Sequence, residues 1–146
     1  MTSTFWNAAD AAIYAKLTAA TALTSLTAGG TASPSIHRIL APEGSDLPYV
    51  VFNAQSPSVP VRTLSRVAYE NALFQVKGVT LSHSAALAGT IAAEIDAALD
   101  GPPLTITGYG HTRCSREQDI DYAEVAAGGQ VYQHRGALYR VWSEPS

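Results

Sequence analysis

The stretch Ala68–Leu99, AYENALFQVKGVTLSHSAALAGTIAAEIDAAL, decides the fold, because it predicts one long strand followed by one amphipathic helix. In its first part, Ala68–Val79, apolar side chains such as Phe74 and Val76 share one face, and polar side chains alternate with them. This period of two is typical of a half-buried strand. At about 12 residues the predicted strand is longer than the usual 5–6, and we expect it to reach beyond its own core toward a partner.

The second part, Ala85–Leu99, predicts the helix. Its apolar residues recur in steps of four and form one stripe, with members Leu87, Ile91, Ile95 and Leu99. Ser82 or Ser84 is a candidate N-cap, and Gly101 followed by proline ends the helix. We expect this helix to pack on its own sheet, and packing on a neighbouring subunit is the alternative.

Composition limits the class of protein. The 146 residues are enough for one core, and we predict a single domain over 1–146. Charged residues make up only 14% of the chain, against about 25% in typical soluble domains, which indicates a surface partly covered by other chains. A net charge of −3 argues against strong electrostatic affinity for nucleic acid.

The chain start lacks the pattern of a signal peptide, and no apolar run approaches the roughly 18 residues of a membrane span, so we expect no membrane association.

The order of predicted elements indicates the fold class. An N-terminal helix carries an apolar stripe of Trp6, Ala9, Ile13 and Leu17. Helices are predicted at 2–17 and 20–26, and strands at 35–40, 49–54, 104–107, 111–114, 119–125 and 131–142, besides the central pair. The polar connection 55–66 is predicted to be an extended loop or arm. Because helices stand apart from consecutive strands, we predict an α+β fold with a mostly antiparallel sheet and two main helices on one face.

The single cysteine, Cys114, is the one candidate nucleophile that we considered. It could form a thiol–imidazole pair with one of four histidines, His37, His83, His111 or His134. Arg113 and Arg116 could lower its pKa. A structural cysteine in a strand is the favoured interpretation.

Two further patterns resemble sites without meeting their requirements. Glu117, Asp119 and Asp121, with Asp100, could offer oxygen ligands to a hard cation, but the spacing of a calcium loop is lacking. The glycines around Tyr109 lack the third glycine of a dinucleotide fingerprint. We therefore assign no catalytic, cofactor or metal residue and expect neither enzyme activity nor a cofactor.

The candidate interface residues are Arg62, Arg66, Glu94, Asp96, Tyr132 and Trp142. The two arginines flank the polar connection and could pair with acids of a neighbouring subunit. The alternative is that both arginines are simply solvated. Tyr132 and Trp142 belong to an aromatic stripe with His134 and Tyr139, which could be an interface or ordinary sheet packing.

The whole chain resembles the small tail terminator (tail completion) proteins of long-tailed bacteriophages and of phage-derived particles such as gene transfer agents. The segments that carry the resemblance are Ala12–Leu17 (AIYAKL), Ala22–Leu26 (ALTSL), Ala41–Gly44 (APEG), Leu47–Phe52 (LPYVVF), Phe74–Val76 (FQV), Ile95–Gly101 (IDAALDG) and Tyr139–Trp142 (YRVW). The residues of these segments are of the kind that determines a fold, and they contain no catalytic signature. One departure is that the central strand ends early, in Gly78-Val79-Thr80.

The resemblance implies a structural virion protein without enzyme activity, located at the head–tail junction and assembled in the host cytoplasm. It implies a homohexameric ring that caps the head-proximal end of the tail tube and ends tube polymerisation. The implied partners are the tail tube protein and a head-completion (stopper) protein. Six copies would carry roughly −18, as six times −3, which suits a lumen through which DNA passes without specific binding.

Three other functions stay open at this point. The first is a head-side stopper or joining protein of the same particle, although such proteins are smaller and richer in strand. The second is a small cytoplasmic thiol enzyme that uses Cys114. The third is an oligomeric ligand-binding domain, which would need a defined apolar pocket with converging polar groups.

Overall fold

The computed structural model describes the backbone of residues 4–146 and their side chains except those of residues 4 and 57–59. The elements are α1 (Thr4–Ala19), α2 (Thr21–Thr24), β1 (Ile36–Arg38), β2 (Tyr49–Arg62), β3 (Val67–Leu81), α3 (Ala86–Leu99), β4 (Tyr109–Val125) and β5 (Val131–Pro145). They form a five-stranded sheet in the order β1-β2-β3-β5-β4. Within the described residues β1 and β2 pair in parallel and the other three strand pairs are antiparallel, so the predicted α+β fold with a mostly antiparallel sheet is confirmed.

The core lies between one face of the sheet and the two long helices. It contains Phe52 of β2, Phe74 of β3 and Tyr139 of β5, packed with Ile13 of α1 and Ile91 of α3. All five side chains are almost fully buried. The prediction that both main helices pack on one face of the sheet is therefore also confirmed.

Two glycines let the layers approach closely. A Cβ at Gly78 would lie 2.4 Å from Cγ2 of Ile91, so the lack of a side chain in β3 is what lets α3 sit against the sheet. A Cβ at Gly136 would lie 2.0 Å from the carbonyl oxygen of Val76 on the neighbouring strand. Both positions require glycine because of space.

The apolar stripes of the helices differ in part from prediction. Leu87 is 42% exposed, and Ala88 takes the buried place. Each step of four residues passes a full helical turn by about 40°, so Leu87 lies about 120° from Leu99 around the helix and leaves the sheet. In α1, Phe5 is fully buried and Trp6 only half-buried. The first two residues of the helix predicted at 2–17 lie outside the described residues.

The polar connection 55–66 is mostly strand. β2 continues to Arg62, β3 begins at Val67, and only residues 63–66 form the turn between them. The segment is therefore the outer half of a long β-hairpin. Prolines at 57 and 60 are compatible with a strand here, because the far side of β2 has no neighbouring strand beyond Phe52 among the described residues.

The strands after α3 also differ from prediction. Residues 104–107 form irregular chain and not the predicted strand, although the side chains of Leu104 and Ile106 are buried in the core. The predicted pieces 111–114 and 119–125 are parts of one strand, β4. Register shifts between Gly110 and Arg113 and between Arg116 and Gln118 interrupt its pairing, as expected of bulges.

Candidate interaction surfaces

Cys114 lies in the core and does not have the properties of a nucleophile. Its side chain is 5% exposed. Burial, helped by the nearby carboxylates of Asp100 and Asp96, raises the pKa of Cys114 to about 12, so the alternative in which Arg113 and Arg116 lower this pKa is wrong. Because the thiolate is the reactive form, this thiol is inert near neutral pH.

The histidines have partners other than the cysteine. His111 Nδ1 lies 3.0 Å from Glu144 Oε2, and His134 Nε2 lies 3.1 Å from Glu124 Oε1. The ring of His37 meets that of Tyr49 edge-on, with 5.8 Å between centroids. In the part of the chain that the structure describes, no hydrogen bond joins a histidine to Cys114, so the thiol–imidazole pair is not formed.

The predicted acidic cluster is neutralised by arginines. Asp121 accepts two hydrogen bonds from Arg135, at 2.9 and 3.2 Å. Asp119 accepts one from Arg116 Nη1 at 3.2 Å. Glu117 is held by Arg140, whose hydrogen bond lowers the pKa of that carboxyl. Consistent with this pairing, the described residues contain no group of three or more potential metal ligands.

The two candidate acids of α3 lie on different sides of the helix, because residues two apart differ by about 200° around its axis. Asp96 Oδ1 accepts a hydrogen bond of 3.0 Å from the buried hydroxyl of Tyr139, and Arg116 Nε lies 3.5 Å away. Burial and this carboxylate raise the pKa of Tyr139. Glu94 has no ion pair among the described residues.

Arg62 and Arg66 lie at the end of the β2–β3 hairpin. The turn is closed by a hydrogen bond of 2.8 Å from the Thr63 amide to the Arg66 carbonyl. Leu64, between the arginines, has a relative exposure of 111% and is therefore fully exposed. No ion pair of either arginine occurs within the described side chains. We call residues 62–66 the hairpin tip.

Tyr132 and Trp142 lie near opposite ends of β5, on the sheet face away from the helices. We call this the open face and define it by Leu73, Lys77, Tyr122, Leu138 and Trp142, which the strand register places on the face opposite the core residues. Trp142 is 36% exposed, and its ring lies 5.4 Å from that of Tyr69. The described helices lie on the other face.

A groove of about 480 Å³ lies on the helix side, between α3 and β4. We call it the α3–β4 groove; its lining includes Gly89, Ala92, Ala93, Asp96, Asp119 and Arg135. It exists because β4 extends the sheet past α3, whose side chains here are small. Sequence analysis missed both this groove and Leu64, although one leucine within a polar turn was a usable signal.

The structure does not bring the hairpin tip to the groove within one subunit. Ala137 in the groove lining pairs with Val76, and Val76 is nine residue steps along β3 from Val67, the first residue after the hairpin tip. At about 3.3 Å per residue this is about 30 Å. A contact between the two surfaces therefore needs two subunits.

Comparisons with known proteins give a family and a fold. A family model described as "Tail completion protein gp17" matches residues 11–141. A chain in the solved structure titled "Virion of native gene transfer agent (GTA) particle" matches with a TM-score of 0.66 and 19% sequence identity, over 98% of this chain and 99% of that chain. At this identity the likeness shows a shared fold. A search of curated proteins finds no match.

The family match includes the elements that carry most of the surfaces described above, and Trp142 of the open face lies one residue beyond it. It begins within α1 and ends within β5, so the hairpin tip and the α3–β4 groove both lie inside it. None of the helices in the described part of the chain is long and apolar enough to span a membrane. The match confirms the resemblance indicated by the sequence, and the chain belongs to the tail completion protein gp17 family.

Proposed function

We propose that this chain is a structural protein of a phage or phage-derived particle. In this proposal, six copies form a ring at the head-proximal end of the tail tube. The ring ends tube polymerisation and joins the tail to a head-completion protein. The observation that carries the proposal is the tail completion family match over residues 11–141, which covers most of the chain.

The surfaces of the subunit support a ring. Each subunit of a ring uses two different patches, one for each neighbour, and the ring closes if the rotation between subunits allows it. This chain offers the hairpin tip and, about 30 Å away, the α3–β4 groove, together with the outer edge of β4, which pairs with no other strand of the described sheet. The open face remains for the tube or the head-completion protein. Its exposed tryptophan, Trp142, is of a type enriched in interfaces.

The net charge supports passage of DNA through the ring. Six copies would carry roughly −18, as six times −3, which disfavours adhesion of DNA to the lumen. A ring structure with mainly arginine and lysine on its inner wall would contradict this part of the proposal and leave the ring itself intact.

The buried state of Cys114 argues against the thiol-enzyme alternative, because a thiol with a pKa of about 12 has very little thiolate at neutral pH. Cys114→Ser should therefore assemble like the unmodified chain. A loss of a measurable hydrolytic activity in this variant would favour the enzyme instead.

Native mass spectrometry over a range of concentrations, with and without purified tail tubes, tests the proposal. We expect a six-fold mass, either alone or at tube ends, and a halt in tube growth when the protein is added to polymerising tube protein. A strict monomer that ignores tubes would contradict the proposal. Binding to isolated heads but not to tubes would favour the head-side stopper alternative.

A further inference from the structure

We propose that the hairpin tip of one subunit docks into the α3–β4 groove of a second copy of this chain. The inference rests on the proposed ring and names the contact that joins its neighbours. It follows from three observations: a ribbon that lacks support, a tip with a leucine between two arginines, and a groove of small residues whose charged lining has one more carboxylate than guanidinium group.

The outer part of the hairpin lacks the support that the rest of the sheet has. Pairing of β3 with β5 ends at Glu70, and pairing of β1 with β2 ends at Phe52. Glu70 pairs with Pro60 of β2, so residues 61–69 form a ribbon of two strands and their turn. Isolated two-stranded ribbons are only marginally stable in water. A partner surface that receives the ribbon would stabilise it.

The tip has a defined chemistry. Leu64 is its apolar point, and Arg62 and Arg66 lie on both sides of it. The segment from Gln55 to Tyr69 contains no acidic residue, so the tip carries a formal charge of +2. An apolar centre between cations favours a site of the opposite pattern, with space at its floor and carboxylates on its walls.

The groove has that pattern. Its α3 side is lined by the small residues Gly89, Ala92 and Ala93. Its walls carry three carboxylates and two guanidinium groups, from Asp96, Asp119, Asp121, Arg116 and Arg135, which gives a formal charge of −1. The Asp119 side chain is 73% exposed and accepts one hydrogen bond from Arg116, so it can accept another from an incoming arginine.

The 30 Å separation within one subunit makes a cross-link a direct test. A chain carrying both Leu64→Cys and Ala93→Cys is treated with a short bismaleimide in the presence of tail tubes. We expect a ladder of linked chains that ends at six, because each link joins one subunit to the next. Cys114 is buried and has a raised pKa, so it stays unlabelled. The control pairs Leu64→Cys with Leu87→Cys, because Leu87 is exposed, lies about 120° around α3 from Ala93 and does not line the groove.

A second measurement does not depend on chemical labelling. Ala93 is exposed, so Ala93→Trp fills the groove without disturbing the core, and Leu87→Trp adds bulk to an exposed position of α3 outside it. We expect Leu64→Asp and Ala93→Trp to weaken ring formation by about tenfold or more, the effect of losing a central anchor, and Leu87→Trp to change it by less than about threefold.

The outcomes separate this contact from the ring itself. Rings with no cross-link, or with normal assembly of Ala93→Trp, would overturn the docking contact and leave the proposed function standing. If no oligomer forms with or without tubes, the ring proposal fails and the docking contact fails with it. A cross-linked ladder that grows well beyond six would support the contact and contradict the closed ring.

Discussion

The inner and outer halves of the β2–β3 hairpin have opposite environments. At the inner end, Phe52 and Phe74 are fully buried under the helices, and β3 pairs with strands on both sides. At the outer end the ribbon has two strands, and Leu64 is completely exposed. One continuous pair of strands therefore serves the core at one end and presents a surface at the other. Substitutions at the two ends should separate stability from assembly.

The largest effect on stability is expected for Phe74→Ala at the inner end. Removing this fully buried ring from the core leaves a cavity between the sheet and the helices. Such substitutions cost about 3–5 kcal/mol of the free energy of unfolding. Urea denaturation followed by circular dichroism would measure the change, and a loss below about 1 kcal/mol would contradict the packing described for the inner end.

Gly136→Ala should have the next largest effect, because a Cβ there meets the Val76 carbonyl oxygen at 2.0 Å and Lys77 Cα at 2.5 Å. Backbone atoms cannot move aside cheaply, and overpacking of this kind costs about 1–3 kcal/mol. The same denaturation experiment measures it. Gly128→Ala is the matched control, since a Cβ there has no neighbour within 4 Å. Equal stability of the two variants would show that β5 does not lie this close to β3.

His134, which pairs with Val79 at the inner end, should have a smaller effect on stability, and this effect should depend on pH. Burial lowers the pKa of His134, with a further lowering from Lys77 and an opposing effect of Glu124. The unfolded chain therefore binds a proton in the acidic range below about 6.5 before the folded chain does. Stability should be fully present above that pH and fall as the pH drops toward the lowered value.

The variant His134→Gln removes the titrating group and should flatten this part of the profile. The Nδ1 atom of His134 is buried without a hydrogen-bond partner among the described residues, so a proton added there would have no acceptor and would not stabilise the folded state. Thermal melting between pH 5 and 8 would show the difference. His83→Gln, on the exposed segment after β3, should keep the slope of the unmodified chain. If the His134 and His83 variants give the same slope, the acid sensitivity has another origin.

The smallest effect on stability is expected at the outer end. Leu64→Ser removes no contact within the subunit, so the free energy of unfolding should change by no more than about 0.5 kcal/mol. The same variant should weaken assembly, and the comparison of its melting curve with its ring formation measures both. A destabilised Leu64→Ser monomer would show that the tip packs within its own subunit, and the contrast between the two ends would then disappear.

The sequence predicted the inner end of the hairpin well, because alternation around Phe74 reports burial on one face. It misassigned the outer end, because Pro57, Pro60 and several serines are typical of loops. A strand with a free edge tolerates such residues, and a free edge is a property of the sheet order, which local sequence does not contain. Residues 104–107 were predicted to be a strand because apolar and polar side chains alternate there. Leu104 and Ile106 are buried in the core, but their backbone is irregular.

The candidate interface residues show a similar limit. Arg62 and Arg66 were chosen because they flank a polar segment, and the structure places both at an exposed turn without ion pairs among the described residues. Sequence could not distinguish Asp96, in the groove lining, from Glu94, because that requires knowing which side of α3 faces β4. It also missed the pairing of buried Asp10 on α1 with Arg38 on β1. Their residue numbers are far apart, and only the parallel placement of β1 brings them together. Whether the six residues form an interface stays a prediction.

The exposed edge of β4 has a consequence for handling the protein before it assembles. This 17-residue strand has β5 on one side, and the described sheet ends on the other. The chain after α3 covers that edge in part, because the Gly101 amide donates to the Cys114 carbonyl and the Arg116 amide donates to Asp100. The part of the edge beyond Arg116 is the exposed one. Such an edge is a template for unwanted strand addition and amorphous aggregation. Charges on the strand, such as Arg113, Asp119 and Asp121, act as gatekeepers against that outcome. Concentrated subunits should therefore become insoluble more readily in high salt, which screens these charges.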